Sequence, residues 1–166
     1  MDLRPHLARQ LIAAIDMLRQ SIERCPDAVW FAENGPRPVW RIAYHALFFA
    51  DLYSQPSMAT FAPWKHHQDD AMDLWETPDP KPVVPYERAA LIEYCDDLRA
   101  RIPSTLDGVD PAQSDSGFDW YAMPKIEHML LNLRHLAVHV GQIQEHCYAA
   151  GVDLGWISSA ALPTDV

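Results

Sequence analysis

The sequence predicts an all-α chain folded as a four-helix bundle. Four segments repeat apolar residues at three- and four-residue spacing, the period of a helix with one buried face. No run alternates apolar and polar residues between turn signals, so no strand is expected. The 166 residues are 49% hydrophobic and 22% charged, the balance of one globular domain long enough to bury a substantial core.

The first helix is expected from about Asp2 to Cys25, with Leu7, Leu11, Ala14, Ile15, Leu18 and Ile22 on its inner face. Pro26 stops it, and residues 27–38, with Asn34-Gly35-Pro36, read as a turn region. The second helix starts near Pro38, a good first-turn residue, and runs to Tyr53, with Ile42, His45, Phe49 and Leu52 on one face. Residues 57–82 carry Pro63, Pro78, Pro80 and Pro82 and read as irregular, with only 68–75 able to form a short helix. A connection of that length often carries function. The third helix is expected from about Val84 to Ile102, buried through Leu91, Tyr94, Cys95, Leu98 and Ile102 and ended by Pro103. A second irregular stretch covers 104–123. The fourth helix starts near Pro124 and ends at about Ala150, where Gly151 is a natural cap. Trp156 and Ile157 in the tail are expected to pack back on the bundle.

A formal net charge of −10 repels the phosphate backbone, so nucleic acid is not an expected partner. Eleven acids against four bases fall between Asp69 and Asp110, a pattern read as a solvated face plus a loop. No stretch approaches the ~20 apolar residues of a membrane span, and Asp2, Arg4 and Arg9 leave no signal-peptide core. Cys25, Cys95 and Cys147 are odd in number and far apart. They read as reduced thiols of a cytoplasmic protein.

Function is expected at the histidines. His128, His135, His139 and His146 fall within roughly 40° of one another on the fourth helix. His135 and His139 are four apart, so their imidazoles can converge on one cation. A third ligand must come from another helix. His45 is the best candidate, because it stands on an otherwise apolar and aromatic face and must there be neutral and hydrogen-bonded, or bind something. Eight histidines give about 0.4 chance pairs at this spacing, so the pair alone is a weak motif. A core histidine bonded to a carbonyl is the common alternative. Cys147 falls about 80° from His139 and reads as core. Gln142, one turn past His139, can hydrogen-bond a ligand imidazole or simply pack.

The run Leu133-Arg134-His135-Leu136-Ala137-Val138-His139-Val140-Gly141-Gln142 resembles the last-helix signature of the DinB-like (damage-inducible) metal proteins, together with Trp40-Arg41-Ile42-Ala43-Tyr44-His45 and Phe118-Asp119-Trp120 before Pro124. The resemblance covers nearly the whole chain. One departure is Val140, where the family commonly has Arg, so a charge able to meet an anionic substrate is missing there. The resemblance implies an up-down-down-up bundle with a long crossover loop over 57–82, and a divalent metal, zinc or nickel, on His45, His135 and His139. It also implies a thiol transferase or thiol-dependent isomerase acting on a small molecule with a low-molecular-weight thiol, and a homodimer. Trp30, Phe31, Trp64 and Trp75 are aromatics near the expected loops that such pairing could use. A metal-dependent hydrolase and a non-catalytic metal-binding stress protein stand as alternatives. His128 and His146, one step beyond each ligand on the stripe, are expected beside the ligands or at the rim rather than on the metal, with His128 or a loop histidine as proton shuttle. His66 and His67 belong to a polar loop or to a lid over the metal.

Overall fold

The computed structural model describes residues 2–32, 37–75 and 78–162; the turn at Asn34-Gly35-Pro36 lies outside them. The described residues form α1 (Arg4–Arg24), α2 (Asp27–Trp30), α3 (Val39–Ser54), α4 (Arg88–Asp107) and α5 (Lys125–Ala149), with one 3-10 turn at Met58–Thr60 and no strand. Four long helices make the bundle, and α2 is a single turn that buries Trp30.

Cross-helix contacts give the directions. Asp16 meets Arg99, Arg19 meets Asp96, and Arg4 reaches the Asp107 carbonyl, so α1 and α4 are antiparallel. Asn132 reaches the Ala50 carbonyl while Lys125 reaches that of Gln55, so α3 and α5 are antiparallel. Tyr94 and Arg101 both reach Asp51, while the Tyr44 ring lies 6.3 Å from that of Tyr94. Residues 44 and 51 therefore pair in order with 94 and 101, and α3 and α4 are parallel. The result is the up-down-down-up bundle, with residues 55–87 crossing between the two parallel helices.

The apolar spacing decides which faces meet. Leu11, Ile15, Leu18 and Ile22 of α1 and Leu91, Tyr94, Cys95, Leu98 and Ile102 of α4 are all buried. Helix α3 departs from the single face expected of it, because 14 of its 16 residues are buried. The crossover covers the side that would otherwise face water. Its Trp64 stacks at 4.7 Å on Tyr94, and Tyr86 packs 4.6 Å from Tyr44.

Several boundaries differ from expectation, each for a physical reason. Helix α4 begins at Arg88 rather than Val84, because Gln68 clamps both the N–H and the carbonyl of Val84 in extended backbone. It continues through Pro103 to Asp107. Proline removes one backbone bond there, but Ile102 and Leu106 on either side are drawn into the core. Residues 68–75 form turns rather than a helix, held from outside as described below. Helix α5 ends as expected. Gly151 adopts φ +79°, its N–H bonds the Tyr148 carbonyl, and that of Val152 bonds Cys147, the paired bonds of a Schellman cap. In the tail, Trp156 is 81% exposed while Leu154 and Leu162 are buried and Ile157 is partly so. Trp156 therefore does not pack back. Trp30 and Trp64 are core residues, whereas Phe31 and Trp75 are exposed.

Candidate metal centre

His45 sits mid-way along α3, and His135 and His139 occupy adjacent turns of the antiparallel α5. The bundle brings the three rings together, with ligating nitrogens all within 4.8 Å of one another. The Nε2 atoms of His45 and His135 are 3.1 Å apart, and those of His135 and His139 3.2 Å. Nitrogens ~2.0–2.1 Å from a tetrahedral ion stand about 3.3 Å apart, so the cluster has the size of a metal tripod.

Hydrogen bonds on the far side of two rings orient them. His45 Nδ1–H donates to the Met72 carbonyl at 2.5 Å, and His139 Nδ1–H donates to Gln142 Oε1 at 2.8 Å. Each bond places the ring proton on Nδ1 and leaves the Nε2 lone pair facing inward, the usual arrangement behind a metal-bound histidine. Burial disfavours the imidazolium forms and pushes His45 down to about 3, His135 to about 4, and His139 below its ordinary value. The rings are therefore neutral at neutral pH, and lone pairs converge on one point that only a cation or a proton can reconcile. His135 Nδ1 is buried without a partner. The Phe49 ring lies tilted 4.7 Å from His45 and edge-on 5.6 Å from His135, and the Trp75 ring lies 6.3 Å from His45. Among the described residues no carboxylate or cysteine joins the cluster.

The crossover is part of the site. Arg37 Nε–H donates to the Leu74 carbonyl and an Arg41 Nη2 donates to that of Asp70, both at 2.6 Å. With His45 on Met72, residues 37, 41 and 45 tie segment 70–74 along the edge of α3. Segment 68–75 is held as turns: the Asp70, Met72 and Leu74 carbonyls accept from Arg41, His45 and Arg37, while only the turn bonds Ala71 N–H to Gln68 and Asp73 N–H to Asp70 run within it. Sequence reasoning missed Arg37, Arg41 and Met72; the four-residue spacing of Arg37, Arg41 and His45 was the available signal.

The remaining histidines separate. His128 is fully buried rather than at the rim. Its ring stacks on Phe118 at 4.7 Å and meets Tyr53 and Tyr121 at 5.0 and 5.3 Å. Neither ring nitrogen has a partner, so no hydrogen-bonded route among the described residues serves a proton shuttle there. His146 is exposed, two turns past His139. His67 stacks on Phe48 at 5.3 Å and accepts from or donates to the Tyr44 hydroxyl at 2.7 Å, while His66 is exposed. Neither belongs to the cluster, and the loop covers it instead with Met72 and Trp75. Cys147 is buried, as expected, and Gln142 is the orienting partner of His139.

Burial pushes His128 to about 4 as well. The unfolded chain takes up protons at His45, His128 and His135 below about pH 6.5, while the folded chain does not until near pH 3–4. Metal-free protein should therefore lose stability as pH falls from 6.5 toward 4, each such group adding a slope of about 1.4 kcal/mol per pH unit. His128→Phe should make the decline shallower. Thermal melts of both proteins across that range check this, and a wild-type melting temperature independent of pH would contradict it.

No curated protein and no solved structure matches the chain. A family model described as the DinB superfamily matches residues 10–143, a span that holds α3, α4, the crossover and all three clustered histidines. The matched span, the all-helical bundle and the three-histidine cluster fit a metal-binding protein, and the chain belongs to the DinB superfamily.

Proposed function

We propose that the chain is a divalent-metal-dependent enzyme, with zinc or nickel held by His45, His135 and His139, and that it transfers a low-molecular-weight thiol to a small electrophile or isomerises a small substrate through a thiol adduct. The observation that carries the reading is the convergence of three neutral imidazole nitrogens with no fourth protein ligand among the described residues. A three-ligand centre leaves a position for an exogenous group, as catalytic sites do. A divalent ion there would favour the thiolate, the competent nucleophile, over the thiol. Met72 and Gln142 hold the His45 and His139 rings in the productive tautomer, and Phe49 and Trp75 restrict water. The thiol proton leaves to solvent. As the sulfur bonds to the electrophilic carbon, either a leaving group departs with its electron pair or a carbon–carbon π bond opens and the resulting carbanion takes a proton from solvent. In an isomerisation the π bond opens, the single bond rotates, and the C–S bond breaks to return the electron pair and restore the double bond.

Zinc-loaded protein is expected to release about one proton per site on binding a small thiol near neutral pH. Co(II)-loaded protein is expected to gain a sulfur-to-metal charge-transfer band, and His139→Ala should abolish both responses. If no thiol in a panel perturbs the Co(II) spectrum while an ester or amide turns over, metal-assisted hydrolysis replaces the reading. If neither occurs, the protein is a non-catalytic metal binder. Hydrolysis ranks lower because no Asp or Glu joins the cluster to act as base.

We propose a homodimer as well. Trp30 and Trp64 are spent inside the core, so support comes from the outer face of α5, where Leu130, Val138 and Tyr148 are 53%, 54% and 43% exposed. Sedimentation should show a dimer, and a monomer at high concentration refutes it.

A further inference from the structure

Beside the three-histidine cluster, where the start of α3 meets the end of α5, lies a cavity of about 230 Å³. Arg37 and His146 supply its polar groups, Val29, Val39 and Ala149 form apolar walls, and among the described residues no acid lines it. An arginine-bearing recess with no carboxylate among its described lining residues is out of character for a chain of net charge −10. Arg37 uses Nε–H on the Leu74 carbonyl, and among the described residues no carboxylate pairs with its two terminal nitrogens. Those nitrogens present the planar fork that binds a carboxylate with two parallel hydrogen bonds. The guanidinium is also near the cluster: the Leu74 carbonyl it bonds is two residues from the Met72 carbonyl that holds His45. His146 and His139 share one stripe of α5, two turns apart, so cavity and cluster lie along one edge of the bundle.

We infer that this recess binds the anionic end of the substrate, a carboxylate on Arg37 with His146 beside it and its apolar part against Val29, Val39 and Ala149. This rests on the small-molecule enzyme reading above and gives it a substrate class: a small organic acid with an apolar portion. An anion placed there is drawn in by local positive charge within an acidic molecule. It also has its length fixed against the metal centre, because Arg37 is tied to the segment that covers His45.

The test is an NMR titration of the zinc-loaded protein with benzoate and with benzamide, a neutral molecule of the same shape, followed at the Val29, Val39 and Ala149 methyls and the Arg37 side-chain N–H. Benzoate should shift these signals at least tenfold more tightly than benzamide. Arg37→Gln should erase that preference. Because Arg37 also ties the Leu74 carbonyl, a second variant leaves it in place: Ala149→Phe fills the recess and should abolish benzoate binding. Equal binding of benzoate and benzamide by the wild type, or unchanged benzoate binding in either variant, overturns the inference. The Co(II) response to thiols is read on the same samples. A thiol band without benzoate binding removes the anion subsite alone, and benzoate binding without a thiol band keeps the subsite and removes the thiol chemistry.

Discussion

His45→Ala, His135→Ala and His139→Ala are each expected to leave the purified protein without stoichiometric metal, while His128→Ala keeps it. Losing an outer partner of a metal-bound imidazole costs about 10–100-fold in affinity, and losing one of three ligands should cost more than that. The three variants should not behave alike in other respects. His45 Nδ1–H holds the Met72 carbonyl, so His45→Ala also releases the middle of segment 70–74 and should make it sensitive to limited proteolysis. His135 Nδ1 has no partner, so His135→Ala should lose metal without that sensitivity. Metal analysis by mass spectrometry, with proteolysis on the same samples, checks both. Full occupancy in any one variant would remove that residue from the ligand set, and loss of metal in His128→Ala would place the centre one step along the stripe.

Lys125→Met is expected to destabilise the fold by about 3 kcal/mol or more. Lys125 is fully buried at the start of α5. Its Nζ donates to the carbonyls of Gln55 at 2.8 Å, Pro56 at 2.9 Å and Ser116 at 2.7 Å, and lies 5.0 Å over the Phe118 ring. One ammonium therefore closes three acceptors from the end of α3 and from the loop before α5. Burial pulls this amine down to about 8, still charged at neutral pH. A methionine of similar length removes the desolvation cost of the charge but orphans one buried and two part-buried carbonyls, each costing about 1–3 kcal/mol. The second effect is larger. For a chain of this size the loss lowers the melting temperature by about 6–12 °C. A melting temperature within a degree or two of wild type would mean that water satisfies those carbonyls.

The chain's local periodicity already determines its four long helices, because a helix that buries one face must repeat apolar residues at that spacing whatever it packs against. The caps follow the same logic: Pro38 and Pro124 at helix starts and Gly151 at the last end are local backbone requirements. The three clustered histidines were legible too, since two of them share one helix face and the third stands out as the polar group on an apolar one. What could not be read locally is what depends on contacts distant in sequence. Pro103 reads as a stop, yet the core holds Ile102 and Leu106 on the same helix. His128 and His135 look equivalent on the stripe, but one meets Phe118 and Tyr121 and the other meets His45.

The orienting partner of His45 is a backbone carbonyl, which carries no residue-type signal at all. It reaches the ring only because Arg37 and Arg41 pin the crossover against α3. Lys125 likewise carries no signal in the sequence that sets it apart, and only the packing of the chain around it turns it into a buried tie. Periodicity reports the burial of a face, which is a one-dimensional property of the chain. The partners of each polar atom are set by the packing of helices and loops, and those were decided only when the bundle closed.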